Sequence, residues 1–197
     1  MDFVDLGPAA RRMAELLDGF PDDALGAPTP CVDYRVGDLV DHVARLALAF
    51  TAAATKTVSG TAPDNRLGDA ARLGDDWRTR IPPTLDALTE AWRDPAARSG
   101  MTRAGGIDLP GEVAAVVALE ELVLHGWDLA RATGQPYECD DRALDAVGGF
   151  VLQFAGPDQA DLRGDAYGAP VELPASASHL DRVVALSGRN PSWTPAA

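Results

Sequence analysis

The segment LEELVLHGWDLARATG, from Leu119 to Gly134, constrains the fold more than any other part of the chain. Its apolar residues recur at helical spacing, and Gly134 is the residue type that favours the left-handed position after a helix. The same segment carries Glu121 and His125. Side chains four residues apart lie one turn apart on the same helical face. A carboxylate and an imidazole therefore share a helix that is patterned for burial.

Helical periodicity continues along the rest of the chain, between segments rich in turn-forming residues. It predicts further helices over about Phe3–Asp18, within 34–56, over about Asp69–Arg93, over 140–155 and over 179–188, and the quoted helix starts near Glu112. The third of these contains Pro82–Pro83, which must bend or interrupt it because proline removes a backbone donor. Residues 59–68 are predicted to form a loop.

Residues 94–111 show neither period, so we expect an extended loop with a short strand near Met101–Leu109. Since helices dominate, the 197 residues predict an all-α helical bundle. We expect a single domain over residues 1–197, with a core over about 1–155 and a C-terminal extension over about 156–197.

The charge balance argues against a nucleic-acid-binding protein. The chain has 17 Lys and Arg against 30 Asp and Glu, a net charge of −13, which repels phosphate. No apolar run reaches the ~18 residues of a membrane helix, and the start, MDFVDLGPAARRMAELL, lacks the order of a signal peptide. We therefore expect neither nucleic acid nor a membrane as partner, and a cytoplasmic location.

Two cysteines, Cys31 and Cys139, lie far apart without a C-x-x-C motif, so both are predicted to be reduced, half-buried thiols. The alternative for Cys31 is a reactive thiol, because it precedes a helix whose N-terminal dipole could lower its pKa. A glycine-rich phosphate cradle is absent from the sequence, so we expect no nucleotide cofactor.

The three histidines are His42, His125 and His179. A single histidine on an apolar helix is more often a core residue than a ligand. A carboxylate on the same helical face, Glu121, favours a ligand role for His125. A charged carboxylate on an inward face costs several kcal/mol unless it is paired, protonated or bound to a cation. Glu120 points about 100° away, so one glutamate can reach solvent while the other faces inward. Periodicity does not decide which.

Together with His42 from a facing helix, Glu121 and His125 form a set of two imidazoles and one carboxylate. In zinc proteins a three-ligand set leaves a position for water or substrate, as catalytic sites do. The same donors suit Fe²⁺, and Ni²⁺ or Mn²⁺ as well. Asp128 is close enough to accept a hydrogen bond from an imidazole N–H, with an ordinary solvated aspartate as the alternative.

Residues near this set have weaker signals. We expect Asp41 on the outer face of its helix and His179 at the surface or in a helix cap. Tyr34 and Asp33, in the loop before the second helix, are candidates to cover the metal end or to cap the helix. The tryptophans are predicted packing residues: Trp77, Trp92, Trp127 and Trp193.

Two motifs, PTPCVDYRVGDLVDHV and later LEELVLHGWDLARATG, together resemble the mycothiol-dependent maleylpyruvate isomerase N-terminal family. That family is part of the DinB-like superfamily of metal-binding proteins. The resemblance runs from the first helix through Gly134 and extends more weakly to the terminal ALSGRNPSW. It implies an up-up-down-down four-helix bundle with a divalent metal, usually zinc, held at one end by His42, Glu121 and His125.

The resemblance also implies a chemistry. Related enzymes use the metal to activate a small-molecule thiol, mycothiol in actinobacteria, and the single lysine, Lys56, fits such a source. We therefore expect a metal-dependent thiol S-transferase or isomerase acting on an electrophilic substrate. Only about sixty residues follow Gly134, whereas the characterised isomerase has a substantial C-terminal domain, so the resemblance does not carry maleylpyruvate as substrate.

Three other functions stay open at this point. The chain could be a stress protein that binds a metal or small ligand without turnover. The same metal could activate water for hydrolysis. A structural helical homodimer would use neither chemistry.

Overall fold

The computed structural model describes residues 4–57, 68–164 and 166–195. Its main elements, in chain order, are α1 (Gly7–Asp18), α2 (Val36–Ala54), α3 (Trp77–Arg93), α4 (Pro95–Arg98), β1 (Met101–Ala104), β2 (Ile107–Pro110), α5 (Gly111–Thr133), α6 (Asp141–Val151), α7 (Ala160–Arg163) and α8 (His179–Leu186). In the described ranges the only sheet is the β1–β2 pair. The predicted all-α class is confirmed.

Helices α1, α2, α3 and α5 form a four-helix bundle. Helix α3 packs against both α1 and α2, and α5 packs against the same two helices. Helices α1 and α2 therefore occupy opposite corners. This is the order of neighbours in an up-up-down-down, DinB-like bundle, as the resemblance implied.

The first helix begins later than the periodicity predicted, at Gly7. The Asp5 carboxylate accepts a hydrogen bond from the Gly7 N–H at 2.9 Å, which satisfies one of the unpaired donors of the first turn. Pro8 fits the same turn because its missing N–H is not needed there. Phe3, where the prediction placed the start, lies outside the described residues.

The third predicted helix is shorter than expected. A 3₁₀ turn over Ala70–Arg72 comes first, Gly74 has a left-handed φ of 71°, and α3 starts only at Trp77. Pro82–Pro83 lie inside α3 without interrupting it. The predicted apolar residues are buried on both sides of the prolines, and their packing stabilises the helix. These residues are Trp77, Ile81, Leu85, Leu88 and Trp92. Of the predicted loop over 59–68, all but residue 68 lies outside the described residues.

The segment before α5 is more ordered than a loop. Strands β1 and β2 form an antiparallel hairpin with Ala104 opposite Ile107. Gly105 and Gly106 in its turn both have positive φ, of 55° and 81°, as tight hairpin turns require. Helix α5 then runs to Thr133, and Gly134 has a left-handed φ of 69°, so its predicted end is confirmed.

The C-terminal elements stack on the bundle through α5. Helix α6 packs on α5, and α8 packs on α6. Trp77, Trp92 and Trp127 are buried, and Trp193 is half-buried, which confirms their predicted packing role. None of the helices in the described ranges is long and apolar enough to cross a bilayer.

Candidate metal centre

Packing of α2 against α5 brings His42 next to Glu121 and His125. The His125 Nε2 atom lies 3.1 Å from Glu121 Oε2, and the His42 Nε2 atom lies 3.7 Å from the same oxygen. One donor atom from each residue lies within 4.8 Å of the other two. Donors bound tetrahedrally to zinc at about 2.1 Å are about 3.4 Å apart. The three side chains therefore converge closely enough to share one ion.

Both imidazoles present Nε2 to Glu121 because other groups engage their Nδ1 atoms. The Nδ1 of His125 lies 3.0 Å from Asp128 Oδ2, and the Nδ1 of His42 lies 3.3 Å from the Tyr34 hydroxyl. A carboxylate only accepts hydrogen bonds, so His125 Nδ1 is the donor. In neutral His125, Nε2 then keeps its lone pair free for a cation.

The charges in this cluster are coupled. Burial acts to raise the pKa of Glu121, but hydrogen bonds from His125 and His42 hold it well below its ordinary value. Burial acts to lower the pKa of His125, yet Asp128 and Glu121 outweigh burial and raise it to about 9. Without a cation, His125 therefore carries the proton that balances Glu121. A metal would have to displace that proton.

Glu120 and Glu121 differ in their exposure to solvent. The sequence pattern did not decide which of the two is buried. Glu120 is only 5% exposed, whereas the Glu121 side chain keeps 25% of its surface. Burial, and then the charge of Glu121, raise the pKa of Glu120 to about 8. Tyr167 of the C-terminal segment interacts with Glu120. Sequence reasoning missed Tyr167.

A second buried charge pair lies behind His125. Asp128 is fully buried, and the Arg189 guanidinium donates to both of its carboxylate oxygens at 2.9–3.0 Å. Burial acts to raise the pKa of Asp128, but the charge of Arg189 and the His125 hydrogen bond lower it overall. The predicted contact between Asp128 and His125 is therefore present, and the solvated alternative is wrong. Sequence reasoning also missed Arg189, for which the terminal ALSGRNPSW motif was the available signal.

The predictions for three residues near His42 had different outcomes. Tyr34 is buried and touches His42, as predicted for a residue that covers this end of the bundle, while Asp33 is exposed. Asp41 was expected on the outer face, and that prediction is wrong. It is buried because the 3₁₀ turn packs over α2, and it accepts hydrogen bonds from the Arg72 side chain at 2.8 Å and the Asp69 N–H at 3.0 Å.

Cys31 lies close to His125 and Asp128, and the three could in principle form a second ligand set. Arg189 already engages both oxygens of Asp128, however, and burial raises the pKa of Cys31 to about 12. Burial therefore argues against the reactive-thiol alternative for Cys31. Burial likewise raises the pKa of Cys139 to about 12, and both thiols are free and half-buried, as predicted.

His179 lies at the surface, where its ring contacts acidic side chains of α6. Its Nδ1 is 3.1 Å from Asp141 Oδ1, and its Nε2 is 3.5 Å from Asp145 Oδ1. The prediction of a surface histidine is confirmed.

Comparison with known proteins agrees with the early resemblance. A family model described as the mycothiol maleylpyruvate isomerase N-terminal domain matches residues 6–130. Two uncharacterized proteins of Mycobacterium tuberculosis, from strains CDC 1551 / Oshkosh and ATCC 25618 / H37Rv, are each 25% identical over 186 residues, which cover 92% of this chain and 93% of theirs. No solved structure matches the chain significantly. The family match includes His42, Glu121 and His125, and it ends before Tyr167 and Arg189.

Proposed function

The chain belongs to the mycothiol maleylpyruvate isomerase N-terminal domain family, and on that premise we propose that it binds a divalent metal, zinc in the first place, which activates a small-molecule thiol. The observation that carries the proposal is the convergence of two imidazole nitrogens and one carboxylate oxygen within 4.8 Å at one end of the bundle. The thiol is mycothiol, by analogy with the family's name, and its reaction partner is an electrophilic small molecule.

The donor set suits such an ion. His42, Glu121 and His125 would hold it with two neutral nitrogens and one anionic oxygen, a combination found in catalytic zinc sites that keep an open position. Fe²⁺, Ni²⁺ and Mn²⁺ accept the same donors. A quarter of the Glu121 side chain and 14% of the His42 side chain are exposed, so the cluster lies at the edge of the core and is not sealed inside it.

Several described residues of the chain orient the site. Asp128 keeps the proton of His125 on Nδ1, and the Tyr34 hydroxyl contacts His42 Nδ1. Cys31, the nearby thiol, has a pKa of about 12 because it is buried, so it stays protonated near neutral pH. This burial favours a nucleophile that comes from a cosubstrate over one supplied by Cys31. A bound divalent metal would supply the Lewis acidity that favours the thiolate form of that cosubstrate.

The proposal can be tested with cobalt-loaded protein, because Co²⁺ substitutes for zinc and has a ligand-sensitive visible spectrum. Mycothiol is titrated into the protein, with S-methylated mycothiol as the matched control that cannot form a thiolate. We expect a new sulfur-to-cobalt absorption band with the free thiol only. Consumption of a panel of electrophiles is then measured with and without mycothiol.

The outcomes separate the parts of the proposal. Cobalt binding without a spectral change on thiol addition, and without electrophile consumption, would show a metal-binding protein that does not use a thiol. Absence of stoichiometric metal binding would overturn the metal centre itself.

A further inference from the structure

Arg189, near the C-terminus, contacts the residue that orients His125. Building on the function proposed above, we propose that Arg189 is a positioning residue of the metal centre. It fixes the Asp128 carboxylate, which in turn fixes the His125 ring with Nδ1–H turned away from the ligand cluster and Nε2 turned toward it.

The contacts between Arg189 and Asp128 leave the carboxylate little freedom. The Arg189 Nε lies 2.9 Å from Oδ1 and 3.0 Å from Oδ2, and Nη2 lies 2.9 Å from Oδ2. Oδ2 is also the oxygen that lies 3.0 Å from His125 Nδ1. A carboxylate gripped on both oxygens by a planar guanidinium cannot rotate without breaking charge-assisted hydrogen bonds. The orientation of His125 is therefore tied to Arg189.

The charge of Arg189 matters as much as its shape. Asp128 is fully buried, and the Arg189 side chain is only 10% exposed. A buried carboxylate without a cation is costly. Among the described residues, Asp128 contacts both Arg189 and the His125 imidazole. Arg189 keeps its charge when His125 is neutral, so it allows an anionic acceptor to lie beside a metal-bound His125.

The backbone conformation before Arg189 directs its side chain toward Asp128. Gly188 has a φ of 83°, and a Cβ added there would come within 2.3 Å of Gly168 Cα. The Ser187 hydroxyl, which is buried, accepts a hydrogen bond from Arg189 Nη1 at 3.1 Å and donates one to Val184 O at 2.7 Å. The Ser-Gly-Arg sequence of the ALSGRNPSW motif thus turns the chain at the end of α8 back toward α5.

A simpler role for Arg189 would be to tether the C-terminal segment. Arg131 provides the matched control for that role, because it also joins α5 to this segment. Its Nε and Nη2 donate to Trp193 O at 3.2 and 2.6 Å, and no described contact joins Arg131 to His125 or Asp128. Loss of Arg131 should weaken the attachment of the C-terminal segment to α5 and leave the hydrogen bonds between Arg189 and Asp128 in place.

The experiment measures zinc affinity of the full chain by competition with a chromophoric chelator, for wild type, R189M, R189K and R131M. We expect R189M to weaken zinc binding by about 10- to 100-fold, the range for residues that orient a ligand. R189K should lie between R189M and wild type, because lysine keeps the charge but not the bidentate grip. R131M should bind zinc as wild type does.

A second readout follows the imidazole itself. At saturating zinc, ¹⁵N NMR of the histidine rings should show a slowly exchanging Nδ1–H on His125 in wild type and R131M, and fast exchange of that proton in R189M. If R189M does not fold, the comparison of R189K with R131M decides by the same two measurements.

The failures are distinguishable. Wild-type affinity and a protected Nδ1–H in R189M would overturn the role of Arg189 and leave the metal centre intact. Equal losses in R189M and R131M would overturn it as well, in favour of a general tether. A wild-type protein that binds no zinc would overturn the proposed function on which the inference rests.

Discussion

His125 Nδ1 lies 3.0 Å from Asp128 Oδ2, one turn along the same helix. This contact joins the cluster of His42, Glu121 and His125 to a buried ion pair behind it. Because the two residues are three positions apart on α5, one helical turn presents both the imidazole and the group that orients it. The local sequence of α5 therefore builds most of the candidate site.

Replacement of Asp128 by alanine should destabilise the protein strongly. It leaves the Arg189 guanidinium buried without its partner, and removal of one member of a buried ion pair costs about 3–5 kcal/mol. Urea unfolding of the metal-free proteins measures the difference. Asp141→Ala is the control, since this carboxylate is 86% exposed beside His179 and exposed pairs contribute little. Equal stability of the two variants would contradict the buried-pair interpretation.

Even alanine in place of Gly126, next to His125, should destabilise the protein. A Cβ at this position would lie 2.9 Å from Tyr137 Cε2 and Oη, and the Tyr137 hydroxyl is held by a 2.9 Å hydrogen bond to Val123 O. We expect Gly126→Ala to lower the free energy of unfolding by about 1–3 kcal/mol, the usual cost of overpacking.

The control for Gly126 is another helical glycine. A Cβ at Gly149 in α6 meets nothing within 4 Å, so Gly149→Ala should stabilise the protein by up to about 1 kcal/mol through helix propensity. Thermal or urea unfolding gives both values. A stabilising Gly126→Ala would show that Tyr137 moves aside without cost.

The metal-free protein should lose stability as pH rises from about 6.5 to about 9. Burial acts to lower the pKa of His125, but Asp128 and Glu121 raise it from 6.5 to about 9 in the folded chain. The folded state therefore binds this proton more tightly than the unfolded state. Its contribution is fully present below the unfolded pKa and is lost as pH rises through the folded pKa.

Urea unfolding in the presence of a chelator at several pH values across this window tests the point. His125→Gln should make the dependence shallower, because glutamine does not titrate. The part that remains comes from Glu120, whose raised pKa of about 8 lies in the same window. A wild-type profile that is level, or that matches the His125→Gln profile, would contradict the raised pKa.

The sequence was sufficient for the parts of the site that depend on local patterns. The apolar period and the terminal glycine predicted α5 almost to its ends, and helical spacing placed Glu121 and His125 on one face. His42 followed from the second helix and from the resemblance. These features depend on helical periodicity within short segments, which a single sequence is enough to reveal.

Other features depend on contacts between distant segments, which periodicity does not encode. Arg189 is 61 residues beyond Asp128, and Tyr167 reaches Glu120 from a segment with no regular pattern. Asp41 is buried because the turn around Arg72 folds over α2. The continuity of α3 through Pro82–Pro83 has a similar origin, since tertiary packing outweighs the local cost of proline.

The metal content of the purified protein tests the central claim most directly. Wild type, His42→Ala, Glu121→Ala and the control His179→Ala are loaded with zinc, desalted and analysed by elemental mass spectrometry, with circular dichroism to verify folding. We predict one zinc ion per chain in wild type and in His179→Ala, and a large loss in His42→Ala and Glu121→Ala. Folded His42→Ala and Glu121→Ala proteins that retain the zinc content of wild type would contradict the claim that these residues hold a metal.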